Sequence, residues 1–208
     1  MLMDRESKLK RIEAKQEKIN HIFQDIDFTE VLDIEAKKSS KDIIDEITES
    51  GIRGRGGAGF PTGLKWKFAS EQKGEKYVIC NADEGEPGTF KDRLILKQQA
   101  FKVFTGMAIC ARAIGAKKGV IYLRGEYNFL LEELYKKLET FHKACKERKI
   151  DFNIAIFSGS GAYVCGEETA LIESMEGFRG EPRNKPPYPI SDGYMGNPTV
   201  VNNVETLV

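Results

Sequence analysis

An α/β fold, with helices on the faces of a parallel sheet, is what this 208-residue sequence predicts. Three observations carry that expectation. Three short apolar runs, beginning at Tyr77, Gly119 and Phe152, have the length of buried strands. Segments with apolar residues at helical spacing lie between them, which is the βαβ alternation. A polar or glycine-rich turn follows each run, at the place where open α/β sheets bind ligands.

The chain divides into an N-terminal helical extension, residues 1–38, and an α/β domain, residues 39–208. Residues 4–26 read as an amphipathic helix with Leu9, Ile12, Ile19, Phe23 and Ile26 on one stripe, interrupted by Gln16. That stripe either packs on the domain or binds a partner. Residues 27–40 read as a loop or a broken helix. Ile43, Ile44 and Ile47 mark a helix over 41–50, stopped by Gly51. A helix over 63–72 leads to the first strand, Tyr77 to Cys80, and then to the acidic loop Asn81 to Thr89. Residues 91–115 read as helix in two pieces, with Phe101, Phe104, Ala108 and Ala111 inward. The second strand, Gly119 to Leu123, turns through Arg124 to Tyr127 into a helix reaching Arg148. The third strand, Phe152 to Phe157, precedes the turn Ser158 to Gly161 and a helix over 166–176. From Phe178 the periodicity dissolves into a basic, proline-rich segment that regular helix and central strand both exclude. A helix start is read at Asn202 to Thr206.

The stretch Gly51 to Trp66 (GIRGRGGAGFPTGLKW) holds six glycines in sixteen residues, with Arg53, Arg55 and Lys65 among them. Glycine lets backbone N–H groups approach a ligand closely, and successive N–H groups make an anion nest. Lys65 adds a mobile cation, and Thr62 is placed to cap a helix starting at Gly63. The stretch reads as a cradle for a phosphorylated ligand. Gly54-x-Gly56-x-x-Gly59 also fits the dinucleotide fingerprint literally, but a helix rather than a strand precedes it, and no Gly-Lys-Ser/Thr makes it a P-loop.

Composition narrows the class. With 32 basic and 32 acidic residues the net charge is zero, which gives no support for nucleic-acid binding. No apolar run reaches the roughly 18 to 20 residues of a membrane span, and the charged N-terminus has no signal-peptide core. The expected setting is the cytoplasm, or the inner face of a membrane within a larger complex. Cys80, Cys110, Cys145 and Cys165 are widely spaced, without a metal-ligand pattern, and read as reduced buried thiols. His21 and His142 read as packing or solvent-facing residues. Glu167 and Glu168 at a helix start suit the helix dipole, as Asp83 and Glu84 suit a solvated loop; acids beside glycines also suit ribose hydroxyls and amides.

Five blocks in order then carry a resemblance. They are Gly51 to Trp66, ICNADEGEPGTFKDR from Ile79, GAYVCGEETALIES from Gly161, KPPYP from Lys185 and VVNNVETL from Val200. Together they resemble the NADH- and flavin-binding subunit of respiratory complex I and the related diaphorase subunits of NAD-linked hydrogenases and formate dehydrogenases. The resemblance covers residues 39–208. It implies a Rossmann-like domain holding FMN, to which NADH passes a hydride and from which electrons pass singly to iron–sulfur clusters. Gly54, Arg55, Gly56, Gly57 and Lys65 would surround the flavin, with Lys65, Asn202 and Asn203 at its phosphate and Asn81, Asp83 and Glu84 at its ring and ribityl chain. Glu86, Tyr163, Glu167 and Glu168 would line the nicotinamide pocket. Phe60, Phe68 and Tyr188 would hold the adenine, and Lys185 the dinucleotide phosphates. No residue is implied as an acid–base catalyst, since the hydride moves directly between cofactors. The family's ubiquitin-like domain and [4Fe–4S] bundle have no counterpart in these residues, so no cluster is expected here. The implied partners are a thioredoxin-like [2Fe–2S] subunit and other cluster-bearing subunits. The alternative is a nucleotide-binding or assembly module that keeps the fold without the catalysis.

Overall fold

Four strands, β1 (Tyr77–Ala82), β2 (Lys118–Leu123), β3 (Asn153–Ser158) and β4 (Thr199–Asn203), make one sheet in the order β3-β2-β1-β4. All three pairings are parallel, and Tyr77 stands level with Lys118 on one side and Thr199 on the other. The computed structural model describes residues 22–208. Most of the expected helix over 4–26, and His21, lie outside those residues; within them, 22–26 form a turn and irregular chain instead of helix.

Period-2 alternation sorts the strands onto two cores. Val78, Cys80, Ala82, Ile121, Leu123, Ile154 and Val200 face the larger one. Ile79, Tyr122 and Val201 face a smaller one. Both faces are covered, which is why the strands read as continuous apolar runs. The larger core is built with α1 (Phe28–Glu35), α2 (Ser40–Glu49), α3 (Thr62–Ser70), α4 (Lys91–Ile114) and α5 (Leu131–Glu147). Phe104 and Phe141 are its fully buried aromatic centre, at ring centroids 5.6 Å apart. The smaller core is closed by α6 (Glu168–Met175), through Leu171, Ile172 and Met175.

Several elements differ from the sequence reading for local reasons. Of the two readings of 27–40, the broken helix holds: residues 28–35 are helical, because the Asp27 carboxylate accepts from the Thr29 N–H (2.9 Å) and the Glu30 N–H (3.4 Å). The helix start read at Asn202 is instead the end of β4 and a single 3-10 turn, Val204–Leu207. The capping signal is real, since the Asn203 side chain accepts from the Glu205 N–H at 3.0 Å. Thr62 does not cap α3: the helix begins at Thr62 itself, Pro61 is the N-cap, and the Thr62 hydroxyl is buried without a partner. The two-piece reading of 91–115 holds, with Gln99 at φ −127° breaking α4 internally. The long segment after β2 begins as a 3-10 turn, Gly125–Leu130, before α5.

The connections β1 to β2 to β3 run outward in one direction, whereas β4 returns to the other side of β1. The sheet therefore has its topological switch between β1 and β4, where such folds leave a crevice at the strand C-termini.

Candidate functional site

A groove of about 430 Å³ opens at that switch. This volume lies within the range of small-molecule sites. Its floor is Asn81 at the end of β1 with Val201, Asn202 and Asn203 of β4, and one wall is the glycine stretch, Gly54, Gly56, Ala58, Gly59 and Phe60, running into Thr62 and Lys65. The opposite wall is Gly166, Glu167 and Glu168 at the start of α6, with Lys185, Tyr188, Pro189 and Ile190.

The glycine stretch is a closed loop, not a linker. The Gly54 N–H donates to the Phe60 carbonyl (2.9 Å), the Thr62 N–H to the Ile52 carbonyl (2.9 Å), and Arg53 to the Gly59 carbonyl (3.0 Å). Gly57 at φ 117° and Gly59 at φ 62° adopt backbone that other residues resist. The loop delivers the N-terminus of α3 to the groove. Pro61 offers no side-chain acceptor there, so the first N–H groups of α3 receive no cap from it.

Charge in the groove is paired. Lys65 donates to the Val201 carbonyl (2.9 Å) and meets Glu168 (3.3 Å). Lys185 bridges Glu167 (2.7 Å) and Glu168 (3.1 Å). Glu167 is also the N-cap of α6, accepting from the Thr169 and Ala170 N–H groups at 2.8 and 3.0 Å. Burial pushes the Glu167 carboxyl up, but Lys185 and the capping donors outweigh it, leaving it below the usual glutamate value. Trp66 fixes Asn202 by an indole N–H bond of 3.0 Å, and Asn81 ties β1 to the Gly166 carbonyl at 3.0 Å.

Of the residues singled out in the sequence, Gly54, Gly56, Phe60, Lys65, Asn81, Glu167, Glu168, Lys185, Tyr188, Asn202 and Asn203 share this groove. Arg55, Gly57, Phe68, Asp83, Glu84, Glu86 and Tyr163 stand outside its lining. Arg55 anchors its backbone N–H to the Thr206 hydroxyl (2.9 Å), while its side chain reaches Glu205 at 3.9 Å. Phe68 is an exposed residue of α3. The Tyr163 hydroxyl donates to Glu86 at 2.9 Å on the surface beside the groove. Glu84 is buried and engaged: it accepts from the Asp92 N–H (3.1 Å), the Arg93 N–H (3.4 Å) and the Tyr127 hydroxyl (2.9 Å), and so caps α4 from the preceding loop. Sequence reasoning passes over Lys91 and Asp92. Asp92 accepts from Asn203 at 2.7 Å, and Lys91 reaches Asn203 at 2.9 Å and Glu205 at 3.1 Å, so the pair sets the orientation of that asparagine. Their signal is present in the block that runs on from Ile79, but a polar pair at a helix start is ordinarily read as capping alone.

Outside the groove, Asp83 is buried without such pairing. It is buried, its Oδ2 has no partner, and burial pushes its carboxyl up to about 6, partly offset by Arg124 and reinforced by Glu126. A carboxyl whose folded value lies above its ordinary 3.8 binds more protons folded than unfolded. Its penalty is absent below about pH 4, grows as pH rises to about 6, and is complete above that. Asp83→Asn is therefore expected to stabilise the chain at pH 7.5 by about 1–2 kcal/mol, less than the full shift because the amide also lacks a partner. Melting temperatures at pH 7.5 and pH 4 check this: the gain should vanish at the lower pH, and a gain equal at both would remove Asp83 as its source.

Among the described residues no cluster of three or more histidine, cysteine or acidic side chains could hold a metal ion, and no helix is long and apolar enough to cross a membrane. All four cysteines are buried and free, in β1, α4, α5 and the 3-10 turn Tyr163–Gly166.

Comparison with known proteins gives a consistent result. Residues 47–208 match the family model described as the Nuo51 FMN-binding domain. The chain is 56% identical over 173 residues to the NAD-reducing hydrogenase HoxS subunit alpha of Cupriavidus necator, covering 79% of this chain and 29% of that protein. It is 53% identical over 175 residues to an NADH-quinone oxidoreductase component of Aquifex aeolicus, covering 81% of this chain and 41% of that one. A crystal structure of an NAD+-reducing [NiFe]-hydrogenase in the H2-reduced state superposes with a TM-score of 0.78 at 54% identity, over 81% of this chain and 29% of that one. The chain thus spans well under half the length of these relatives. With a family match over most of its residues, relatives above half identity and the same parallel sheet, this chain belongs to the Nuo51 FMN-binding domain family.

Proposed function

We propose that this chain is the flavin- and NADH-binding module of a diaphorase, an NADH:acceptor oxidoreductase of the kind found in NADH-quinone oxidoreductases and NAD-reducing hydrogenases. The observation that carries the reading is the α3 N-terminus, opening uncapped beside Lys65 on a groove at the switch of a parallel sheet. Helix N-termini and a nearby lysine favour an anionic group such as a phosphate.

The residues present fit FMN. Thr62 is among the lining residues, its buried hydroxyl left without a partner, and the glycine wall leaves backbone exposed on a cavity of suitable volume. Lys65, Asn202 and Asn203 with the α3 N-terminus would hold the phosphate, and Gly54, Gly56 and Asn81 would flank the rest. When bound, FMN supplies the redox chemistry, taking a hydride from NADH and giving up electrons singly to iron–sulfur clusters on partner chains. The protein's own work is binding and orientation. Phe60 and Tyr188 offer aromatic faces, Lys185 a cation for the dinucleotide phosphates, and Glu167 and Glu168 hold that cation in place. Glu84 acts by fixing the acidic loop, its carboxylate being engaged with α4 and Tyr127. The partner that receives the electrons is a thioredoxin-like [2Fe–2S] subunit or another cluster-bearing chain, in a cytoplasmic or peripheral complex.

The test is to load the purified chain with FMN and titrate it with NADH without oxygen. Bleaching of the flavin band, followed by turnover with ferricyanide, is the expected result. Flavin retained but not bleached would make the chain a binding or assembly module, and failure to retain flavin would overturn the reading altogether.

A further inference from the structure

The segment from Arg179 to Pro198 contains no helix or strand apart from the 3-10 turn Tyr194–Gly196, yet it carries Lys185 and Tyr188 into the groove. Its five prolines, at 182, 186, 187, 189 and 198, have no N–H to donate, and its backbone bonds are local turns, such as the Ser191 N–H to the Tyr188 carbonyl at 2.9 Å. Lys185 meets Glu167 and Glu168 at the start of α6, and Arg183 ties the segment to the rest of that helix. The Arg183 backbone N–H donates to the Thr169 hydroxyl at 2.9 Å, and that hydroxyl donates to Glu167. Its guanidinium pairs with Glu173, reaches Glu176 at 2.6 Å and donates to the Gly193 carbonyl at 3.2 Å. The other oxygen of Glu176 accepts from the Met195 N–H at 2.7 Å, and Met195 sits at φ 52°, which non-glycine residues seldom adopt.

We propose that Arg183 is a positioning residue for dinucleotide binding, clamping this segment onto α6 so that Lys185 and Tyr188 stand against Glu167 and Glu168. The inference rests on the reading that the groove takes NADH. The clamp is separable from the rest of the fold. α6 is seated by Leu171, Ile172 and Met175 in the smaller core. The floor and glycine wall are held by other bonds, Trp66 to Asn202 and Asp92 to Asn203. Losing Arg183 loosens one wall and leaves the flavin side in place.

The experiment compares the chain with Arg183→Met and Arg183→Lys, measuring Kd for FMN, Kd for NADH and backbone hydrogen exchange. In Arg183→Met the NADH Kd is expected to rise roughly tenfold, the cost of ordering a loosened wall on binding. The FMN Kd should stay within about twofold, and amides of residues 184–195 should exchange faster. Arg183→Lys should recover only part of the loss, because one ammonium cannot span two carboxylates and a carbonyl as the planar fork does. An NADH Kd equal to the parent's, or equal loss of flavin and dinucleotide, would overturn the inference while leaving the proposed function standing. A parent chain that holds flavin but binds no NADH would remove the reading beneath it, and this inference with it. If Arg183→Met does not fold, Glu176→Gln removes one arm of the clamp. A threefold or larger rise in NADH Kd with flavin unchanged is then expected, and no rise overturns the proposal.

Discussion

Lys65→Ala is expected to weaken FMN binding roughly ten- to hundredfold, the equivalent of one charge-assisted hydrogen bond of about 1.5–3 kcal/mol. Lys65 is the cation at the α3 end of the groove, and it is partly buried with its side chain 18% exposed, so solvent screens it little. It is also tethered to the Val201 carbonyl and Glu168, which fixes the ammonium over the floor before any ligand arrives. Removing it leaves Lys185 as the one cation shared by Glu167 and Glu168, and the excess negative charge adds to the loss. Lys65→Arg should keep most of the affinity. Fluorescence titration with FMN measures both, with NADH binding to the flavin-loaded protein as the control. Unchanged FMN affinity in Lys65→Ala would sink the phosphate assignment.

Gly106→Ala is expected to destabilise the fold by about 1–3 kcal/mol or more, the range for forcing an extra methyl into packed structure. Helix propensity alone gives the opposite sign, since alanine in a helix interior is favoured over glycine by about 1 kcal/mol. The structure decides between them. A Cβ at Gly106 would stand 2.8 Å from the Leu207 carbonyl carbon and nearer still to its oxygen, a backbone contact that no rotamer change relieves. The displaced element is the 3-10 turn Val204–Leu207, which follows Asn203 and carries Glu205 and Thr206, the partners of Lys91 and Arg55. Thermal unfolding reads the stability and FMN titration the accompanying loss of affinity. A raised melting temperature would show that the turn moves away freely.

What can be read in advance follows from the range of the interactions involved. β1 and β2 are legible because burial on both faces demands unbroken apolar runs, and β3, an edge strand with only Ile154 buried, is legible from its Ile154 to Phe157 run. The glycine stretch is legible because its composition suits close backbone approach. β4 escapes notice because Thr199 to Val201 is short and its capping asparagine imitates a helix start. α1 is legible only as one of two readings, a loop or a broken helix, because one Asp27 cap decides it and its buried face consists of little more than Leu32. The groove residues from Lys65 to Asn203 are named through the resemblance, not through spacing. No local pattern reports that Lys65 meets Glu168, or that Glu84 caps a helix eight residues on. Arg183 looks like one more basic residue in an irregular tail, because its three acceptors are set by how that tail folds back on α6.

The position of β4 has a consequence for how the protein is made. The bonds that fix the floor against the glycine wall, Lys65 to Val201 and Trp66 to Asn202, each join residues 136 apart in sequence. Closing so long a loop carries an entropic cost that local contacts do not offset, and pairings of this kind come late in folding. During synthesis β1 has only β2 as a neighbour until Thr199–Asn203 has left the ribosome, and its Val78–Cys80 edge stays open to pairing with other chains. The cradle exists as sequence long before it has a floor. A flavin held between the two can bind only after β4 has docked, and it then draws the equilibrium toward the four-stranded sheet. Flavin supply during expression should accordingly govern how much chain escapes aggregation, as well as how much is active.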